Sequence, residues 1–542
     1  MNLNVGYRHP FLIGTHFSGG VGDNPRTLTE LAMGQLSYNL RSRPEWWKYF
    51  QNQTTRAKWA EQAASRPFDV RVPSANASVE LNQQQIEYVL DELGGYAALR
   101  DEVNGCQVSC FERIWESDTL FNSTMLSDFK EELRSLRELS KKRKEGYFIT
   151  ALIDPTLHPL VYDRTFVNNP SSKNPRTCPP PQATDIYTLS QKFCCLPTDL
   201  SVSPTGEAQL LSYINNLHPR HTKLYDLFAK TVTRFVPLFE HVLTDLHRNN
   251  PLPQRIPGPY RYTVWEEPEE PEHSDDEEGW SNYERVMLHW ALNRPIKLPD
   301  IPRDGYRGEL EYRRHIVNLK SKRLQVIFRV SEINLKPGDP TYFSPPYHVE
   351  GMRNEHIVAC GRFYSCVENI DACEIQFRMA VTYPRGFEPG DSGATLRTWG
   401  LRDGDSCHQY VGSIPIRTGL SIVFPNIYQH RHTPFQLVDP KKEGRISVVS
   451  FLLVDPDIPR IPSTSNVTPQ QKEWIREALD ERLDERIPVE LIDEIMEQVE
   501  SVMSEEESLR YSEEMLRERT EFWKRNDNYH FCIPFDIWHG PQ

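Results

Sequence analysis

The sequence predicts an α+β fold in which a barrel or jelly roll of antiparallel strands carries large helical additions at both ends. Residues 373–383 alternate almost perfectly between apolar and polar side chains, which is typical of a strand with one face in a core. Further strand candidates are residues 324–333, 357–364, 420–424 and 446–454. Helical patterns fill the first third of the chain and return after residue 468, so we place the barrel between two helical regions.

The composition limits the classes of partner. The chain has 542 residues and a formal net charge of −14, from 62 Lys and Arg against 76 Asp and Glu. Phosphate binding needs clustered Lys and Arg, so the acidic balance and the lack of a basic stripe argue against nucleic acid. The ten cysteines form no C-x-x-C pair. Neither a zinc finger nor a disulfide framework is therefore indicated.

The sequence also predicts no membrane partner. It does not open with a basic segment followed by a long apolar run, and no apolar stretch is long enough to cross a bilayer. We therefore expect a soluble protein of the cytoplasm, with a nuclear location left open.

Composition divides the chain into five expected regions. Residues 264–280 are rich in acidic residues and poor in apolar ones, so we expect a disordered loop there. The regions are a mainly helical N-terminal region (1–145), a mixed α/β region packing on the barrel (146–263), the acidic loop (264–280), the barrel core with a metal site (281–464) and a C-terminal helical region (465–542).

Local patterns place several helices and one turn. Capping residues predict helix starts at Thr27, Thr468 and Ser504, and an amphipathic pattern predicts a helix over residues 223–246. Residues 212–219 favour a strand and turn. Three polar side chains in this stretch, Asn215, Asn216 and His218, either face a pocket or make turn hydrogen bonds. We favour the turn hydrogen bonds.

One stretch, Tyr347–Met352, contains the spacing of a metal site. Alternate side chains of a strand share a face, so His348-x-Glu350 directs an imidazole and a carboxylate to one point. A second histidine from a later strand, His430, would complete three ligands. Two neutral imidazoles and one carboxylate, with the remaining positions open, form the facial triad that suits iron(II) in oxygen-activating enzymes.

An arginine that follows His430 in the sequence would add a carboxylate anchor. The planar fork of Arg445 can hold a carboxylate through two parallel charge-assisted hydrogen bonds. A dicarboxylic co-substrate such as 2-oxoglutarate would be held in this way beside the metal. His432 and His356 compete as ligands, because His432 lies two residues from His430 and would face the same side of a strand.

Four motifs together resemble a group of mostly fungal proteins described as a domain of unknown function. The resemblance covers about residues 27–525. The motifs are Ile153-Asp154-Pro155-x-x-His158-Pro159-Leu160-Val161-Tyr162, Ser212-Tyr213-Ile214-Asn215-Asn216-Leu217-His218-Pro219, His348-Val349-Glu350-Gly351-Met352-x-Asn354-Glu355 and Phe424-Pro425-Asn426-x-x-Gln429-His430.

The C-terminal half further resembles the iron(II)- and 2-oxoglutarate-dependent oxygenases. Their double-stranded β-helix, a jelly-roll or cupin-like barrel, carries a His-x-Asp/Glu…His…Arg signature. The resemblance implies that His348, Glu350 and His430 bind iron(II), with His432 as second choice for the later histidine, and that Arg445 holds the 2-oxoglutarate. It also implies hydroxylation of a small molecule or a peptide.

Two departures from that signature leave alternatives open. The acid is Glu rather than the commoner Asp, and the gap between His430 and Arg445 is long. A turn over residues 439–443 would absorb the gap; otherwise Arg378, on the alternating strand, is the second choice of anchor. The alternative functions are a cupin-like metal dioxygenase without 2-oxoglutarate and a non-enzymatic interaction scaffold. A homodimer through the C-terminal helices also stays open.

Overall fold

The computed structural model describes residues 6–11, 22–74, 76–140, 148–168, 175–182, 187–256, 267–294, 296–483 and 488–538. Its helices are α1 Leu28–Arg41, α2 Trp46–Tyr49, α3 Gln53–Ala64, α4 Gln83–Leu99, α5 Ser123–Ser140, α6 Thr222–Leu246, α7 Glu277–Asn293, α8 Ser392–Trp399, α9 Lys472–Leu483, α10 Val489–Gln498 and α11 Glu505–Asn526. A 3₁₀ turn covers Arg353–Glu355, and a π-helical turn, Asp527–Phe531, follows α11.

The strands fall mainly into two antiparallel sheets. They are β1 Phe68–Arg71, β2 Asn76–Val79, β3 Gln107–Val108, β4 Trp115–Ser117, β5 Ile149–Ile153, β6 Leu160–Val161, β7 Phe166–Val167, β8 Arg176–Thr177, β9 Phe193–Cys194, β10 Thr198–Val202, β11 Ala208–Leu210, β12 Arg323–Leu335, β13 Ile357–Glu368, β14 Glu374–Ala380, β15 His408–Pro415, β16 Ser421–Pro425, β17 Gln429–His432 and β18 Gly444–Val454. The large sheet has the order β11-β10-β12-β18-β13-β16-β4-β3, with β5 also paired to β12, and the small sheet has the order β15-β14-β17.

The two sheets pack face to face around an inner core. Ile327 of β12, Val448 of β18 and Ile375 of β14 all lie in it, and the rings of Phe377 and Phe424 meet across it at 5.0 Å between centroids. Because strand residues alternate between faces, every second residue of β18 points into this core, whereas two register shifts interrupt the alternation in β13. The mixed α/β architecture with a large antiparallel sheet is the one that the sequence predicts.

The opposite face of the large sheet carries an outer core under helices. The helix α6 buries a stripe of Leu, Val and Phe there, as its amphipathic pattern predicts. Phe235 of α6 packs on Phe451 of β18 at 5.0 Å between ring centroids. At Gly361 of β13 an added Cβ would lie 3.0 Å from both Phe235 and Phe239. The glycine therefore allows the helix to approach the sheet closely.

The N-terminal region is mainly helical, and it also extends the large sheet, because β4 pairs with β16 and β3 pairs with β4. This pairing covers an edge of β16 that would otherwise be open. Two other elements differ from what the sequence predicts. Residues 212–219 form a turn rather than a strand. The helix α7 begins inside the segment expected to be disordered, capped by Asp276, and its acidic first turn suits the positive end of the helix dipole.

The predicted starts of α1 and α11 are confirmed. The side chains of Thr27 and Ser504 accept hydrogen bonds from the backbone N–H groups of Glu30 and Glu507 at 3.1 Å. Both caps satisfy amide groups that the first helical turn leaves open. In the described part of the chain no helix is long and apolar enough to span a bilayer.

Candidate metal centre

The structure brings His348, Glu350 and His430 together at one end of the inner core. One possible ligand atom from each residue lies within 4.8 Å of the other two. The backbones of His348 and His430 pair as antiparallel neighbours, with His430 N–H donating to the His348 carbonyl at 3.1 Å. Directly paired residues share a face of a sheet, which brings the two histidines together. The strand expected at residues 347–352 is reduced to this single bridge, and Glu350 lies in a bend that follows it.

Hydrogen bonds decide which ring nitrogen of each histidine is free to bind a metal. The carbonyl oxygen of Pro346 lies 2.9 Å from Nδ1 of His348 and can only accept, so Nδ1 carries the proton and Nε2 the lone pair. At His430, a guanidinium nitrogen of Arg362 contacts Nε2 and can only donate. The Nε2 lone pair of His348 is therefore free to bind a metal, whereas the Nε2 lone pair of His430 faces the Arg362 guanidinium. Burial lowers the pKa of both histidines. Neutral imidazole is the form that binds metal.

Two arginines converge on the carboxylate of Glu350. Arg329 donates to it at 2.5 and 3.1 Å, and Arg362 donates to it at 3.0 Å. Burial alone would raise the pKa of Glu350, but Arg329, His430 and Arg362 outweigh burial and hold the pKa well below its usual value. The carboxylate is thus ionised and, like the imidazoles, in its metal-binding state.

Strand register places both arginines on the inner face of the large sheet. Arg329 of β12 and Arg362 of β13 are each paired with Ser450 of β18, which lies between them. Directly paired residues point to the same face. The two guanidinium groups therefore approach Glu350 from the strands on either side of β18.

Arg445 does not lie at this centre. It is five residues from Ser450 along β18, which is roughly 17 Å, and an odd separation puts it on the opposite face. There its Nε donates to Asn334 Oδ1 at 3.0 Å and lies 4.0 Å from Glu332. The expected anchor thus points toward the helices outside the sheet rather than into the inner core.

Arg378, the second choice of anchor, also faces away. Its partner in β17 is Gln429, and the residue paired with His430 is its neighbour Phe377. Arg378 donates to Gln429 at 2.5 Å, contacts Asp527 and stacks on Tyr347. Its side chain therefore lies on the face of the small sheet opposite to the face that carries His430.

His432 shares the face of His430 but has another partner. Its Nε2 lies 3.0 Å from the hydroxyl of Tyr364, deeper in the inner core, and burial together with Arg362 lowers its pKa to about 3. It is not one of the three residues whose ligand atoms meet. His356 lies outside that group as well, at the end of the 3₁₀ turn.

The family models identify the chain at this point. Models for a protein of unknown function (DUF4246) and for a domain of unknown function DUF4246, N-terminal, match residues 83–478 and 3–62. The chain belongs to the DUF4246 family. The family resemblance inferred from the four motifs is therefore confirmed.

Comparisons with proteins outside the DUF4246 family give little information about fold or activity. No curated protein matches. A bsmA homolog from Methylobium petroleophilum PM1 is 10% identical, with a TM-score of 0.16, over 26% of this chain and 45% of that chain. The Fe(II)/(alpha)ketoglutarate-dependent dioxygenase TqaL is 8% identical, with a TM-score of 0.22, over 64% of this chain and 96% of that chain. IDO from Bacillus thuringiensis is 11% identical, with a TM-score of 0.17, over 30% of this chain and 64% of that chain. The chain spans less than half of the first of these structures. TM-scores this low carry no argument about fold or activity.

The DUF4246 motif around residue 426 holds the ligand-bearing loop in place. The buried Asn426 side chain accepts from the backbone N–H of Glu350 at 2.8 Å. It donates to the carbonyls of Glu350 and Ile357 at 2.9 and 3.0 Å. These three bonds fix the backbone at the acidic ligand.

The other two DUF4246 motifs form a structural cluster rather than a pocket. Asn215 donates to the carbonyls of Leu157 and His158, both at 3.2 Å, and Asn216 bonds His158 Nδ1 at 2.8 Å. Gln470 donates to the His158 carbonyl at 3.0 Å. These polar residues therefore make turn hydrogen bonds, as favoured from the sequence. His218 lies at the surface near Glu477.

Sequence reasoning missed Arg329, Arg362, Asn426 and Trp523. The two arginines had a readable signal, since each interrupts an apolar strand, and a buried arginine is rare unless it is paired. Trp523 had no such signal in the sequence, because its side chain reaches the candidate metal centre only through the packing of α11.

The residues present fit a divalent metal such as iron(II). Two neutral imidazoles and one ionised carboxylate are the donor set that such an ion uses. Nδ1 of His348 donates to a backbone carbonyl, the outer hydrogen bond that orients metal-binding histidines. In the described part of the chain no other three His, Cys, Asp or Glu side chains come as close together.

Proposed function

We propose that this DUF4246 protein is an iron(II)- and 2-oxoglutarate-dependent oxygenase, built on a double-stranded β-helix formed by its two facing sheets. The observation that carries the proposal is the meeting of His348, Glu350 and His430, with two arginines on the same inner face. His348, Glu350 and His430 would hold the iron. The bound iron would supply oxygen activation for the oxidation of a substrate.

The charges at the centre favour a dianionic co-substrate. One carboxylate, Glu350, faces two guanidinium groups, so the protein alone leaves an excess of one positive charge. A divalent metal raises that excess to three. Buried charges need compensation, and the two carboxylates of 2-oxoglutarate would lower this excess from three to one. A dioxygenase without this co-substrate would leave the whole excess at the centre.

We propose that Arg362, assisted by Arg329, replaces Arg445 as the group that holds the distal carboxylate. Arg362 is buried beside His430, and its fork can bind a carboxylate in two parallel bonds. Arg329 is 29% exposed, so the centre meets solvent on its side. A small-molecule or peptide substrate would enter there, past the partly exposed His348.

An anaerobic titration tests this function. Purified protein receives iron(II) and then 2-oxoglutarate, and the weak visible charge-transfer band of a keto acid chelated to iron is recorded. We expect the band in the natural protein and its loss in His348→Ala and Glu350→Ala. Arg362→Gln should raise the dissociation constant for 2-oxoglutarate about 30-fold, corresponding to about 2 kcal/mol.

Arg445→Gln is the matched control, since it removes the same charge from the opposite face of the sheet. It should leave the band and the dissociation constant unchanged. If Arg445→Gln abolishes the band while Arg362→Gln keeps it, the anchor assignment is wrong. Iron binding without the band would reject 2-oxoglutarate and favour the cupin-like dioxygenase. Absence of metal binding would favour the scaffold.

A further inference from the structure

The C-terminal helix α11 reaches both segments that carry the proposed metal ligands and also the loop that follows Glu350. Arg519, Trp523 and Asp527 are spaced four residues apart, so they lie on one face of the helix and the turn that ends it. Each of the three contacts a different segment of the centre. The helix therefore spans the site from the loop after Glu350 to the strand of His430.

Trp523 contacts the segment between the first two ligands. Its indole N–H donates to the carbonyl oxygen of Val349 at 3.1 Å. Its ring lies 4.6 Å from the ring of His348, with an angle of 37° between the planes. Val349 is buried in a small apolar cluster with Phe522 of the same helix. The tryptophan thus fixes the backbone and one imidazole together.

Arg519 controls the loop that follows Glu350. It donates to Glu355 Oε1 at 2.7 Å, and the same oxygen accepts from the backbone N–H of Cys195 at 3.1 Å. The other oxygen of Glu355 accepts from the backbone N–H of Met352 at 2.6 Å. Glu355 is 1% exposed, so Arg519 supplies the charge that a buried carboxylate requires.

Asp527 holds the strand of the third ligand. Its Oδ1 accepts from Gln429 Nε2 at 3.2 Å and also contacts Arg378. Gln429 directly precedes His430, and Arg378 lies on β14, paired with it. The π-helical turn begins at Asp527, and such turns are frequent at functional sites.

We infer that α11 is the positioning element of the metal centre, and that Trp523 is its principal positioning residue. The helix orients the ligands through two hydrogen bonds, one ring contact and two ion pairs, and it contributes no ligand of its own. This inference rests on the metal site of the proposed function, and it does not depend on 2-oxoglutarate.

Cobalt(II) binding by the full chain tests this role. Trp523→Phe keeps a ring and removes the N–H, so the carbonyl of Val349 loses its donor. We expect Trp523→Phe to weaken cobalt(II) binding about 10-fold, the lower end of the effect of outer-shell partners, and to shift the visible cobalt spectrum. Asp527→Asn is the second variant, with a weakening in the same direction.

Tyr511→Leu is the matched control on the same helix. Tyr511 lies three helical turns before Trp523, and its ring packs on the ring of Phe193 at 5.9 Å between centroids. This variant should lower the melting temperature of the metal-free protein without changing the affinity for cobalt(II). Trp523→Phe should instead weaken cobalt(II) binding and leave the melting temperature of the metal-free protein close to that of the natural protein.

The outcomes separate this inference from the function proposed above. Natural affinity and spectrum in both Trp523→Phe and Asp527→Asn would overturn the positioning role alone. Weakened cobalt binding in a protein that forms no charge-transfer band with 2-oxoglutarate would support the positioning role and reject the co-substrate. Failure of the natural protein to bind cobalt(II) would overturn both.

Discussion

At the scale of single residues, the side that an arginine faces decides its role. Arg362 and Arg445 both lie on central strands of the large sheet, yet one contacts Glu350 and His430 and the other contacts Asn334. The difference arises from the alternation of strand side chains. Arg445 instead belongs to a group on the outer face, around Glu332.

The Glu332 group predicts unequal costs for two arginine substitutions. The buried Glu332 accepts from Arg137 at 2.6 and 2.7 Å, whereas Arg445 lies 4.0 Å away. Arg137→Ala should lower the free energy of unfolding by about 3 kcal/mol, because it removes the main partner of a buried charge. Arg445→Ala should cost about 1 kcal/mol or less. Denaturant unfolding of both variants measures the difference, and a larger cost for Arg445→Ala would contradict the assignment.

Two of the three proposed ligands could be predicted together because their spacing is local, whereas the position of the arginines could not be predicted. His348 and Glu350 are two residues apart, and any strand puts them on one face. Whether Arg329, Arg362 or Arg445 meets them depends on strand order and register, which tertiary pairing sets. A buried arginine in an apolar strand was the one signal present in the sequence.

At the scale of elements, the packing of α6 on the large sheet holds the outer core together. Phe235 is fully buried and contacts the rings of Phe121, Phe239 and Phe451. Because these contacts involve only carbon atoms, a smaller side chain at residue 235 would leave an empty cavity rather than one that holds water.

Phe235→Ala should therefore destabilise the protein without affecting the centre. We expect a loss of about 3–5 kcal/mol in the free energy of unfolding, measured by urea denaturation. The folded variant should bind iron(II) as the natural protein does, because α6 lies on the opposite face of the sheet. A loss of below 1 kcal/mol would show that α6 does not pack as described.

The long strands were predicted well, and the short ones were not. The strands β12, β13, β14, β16 and β18 each overlap a predicted segment, because seven or more alternating or continuously apolar residues identify most of them. The strands β3 and β4 have two and three residues; β4 pairs with β16, and β3 pairs only with β4. Such strands carry no pattern of their own, so sequence reasoning assigned them to a helical region.

At the scale of the whole molecule, the chain closes around the centre from its C-terminal end. The start of α11 is readable from Ser504 and Glu507, but the surface on which it docks is not. Its partners lie 164 residues away at Glu355 and 174 residues away at Val349. Contacts of that separation are set by the fold, which is why an interface role and a supporting role stayed open.

Metal binding should stabilise the folded chain as a unit. A ligand that binds only the folded state at 100 times its dissociation constant adds about 2.7 kcal/mol to the free energy of unfolding. Manganese(II) should therefore raise the melting temperature of the natural protein, and the chelator EDTA should reverse the rise. Glu350→Ala should show no rise. An equal rise in that variant would place the metal elsewhere.

The most direct test of the central claim is the structure of crystals grown with manganese(II) and 2-oxoglutarate, with the metal located by its anomalous scattering. We expect one strong peak between His348, Glu350 and His430, and the distal carboxylate of 2-oxoglutarate against Arg362. A peak at other residues, or a co-substrate held by Arg445, would contradict the central claim.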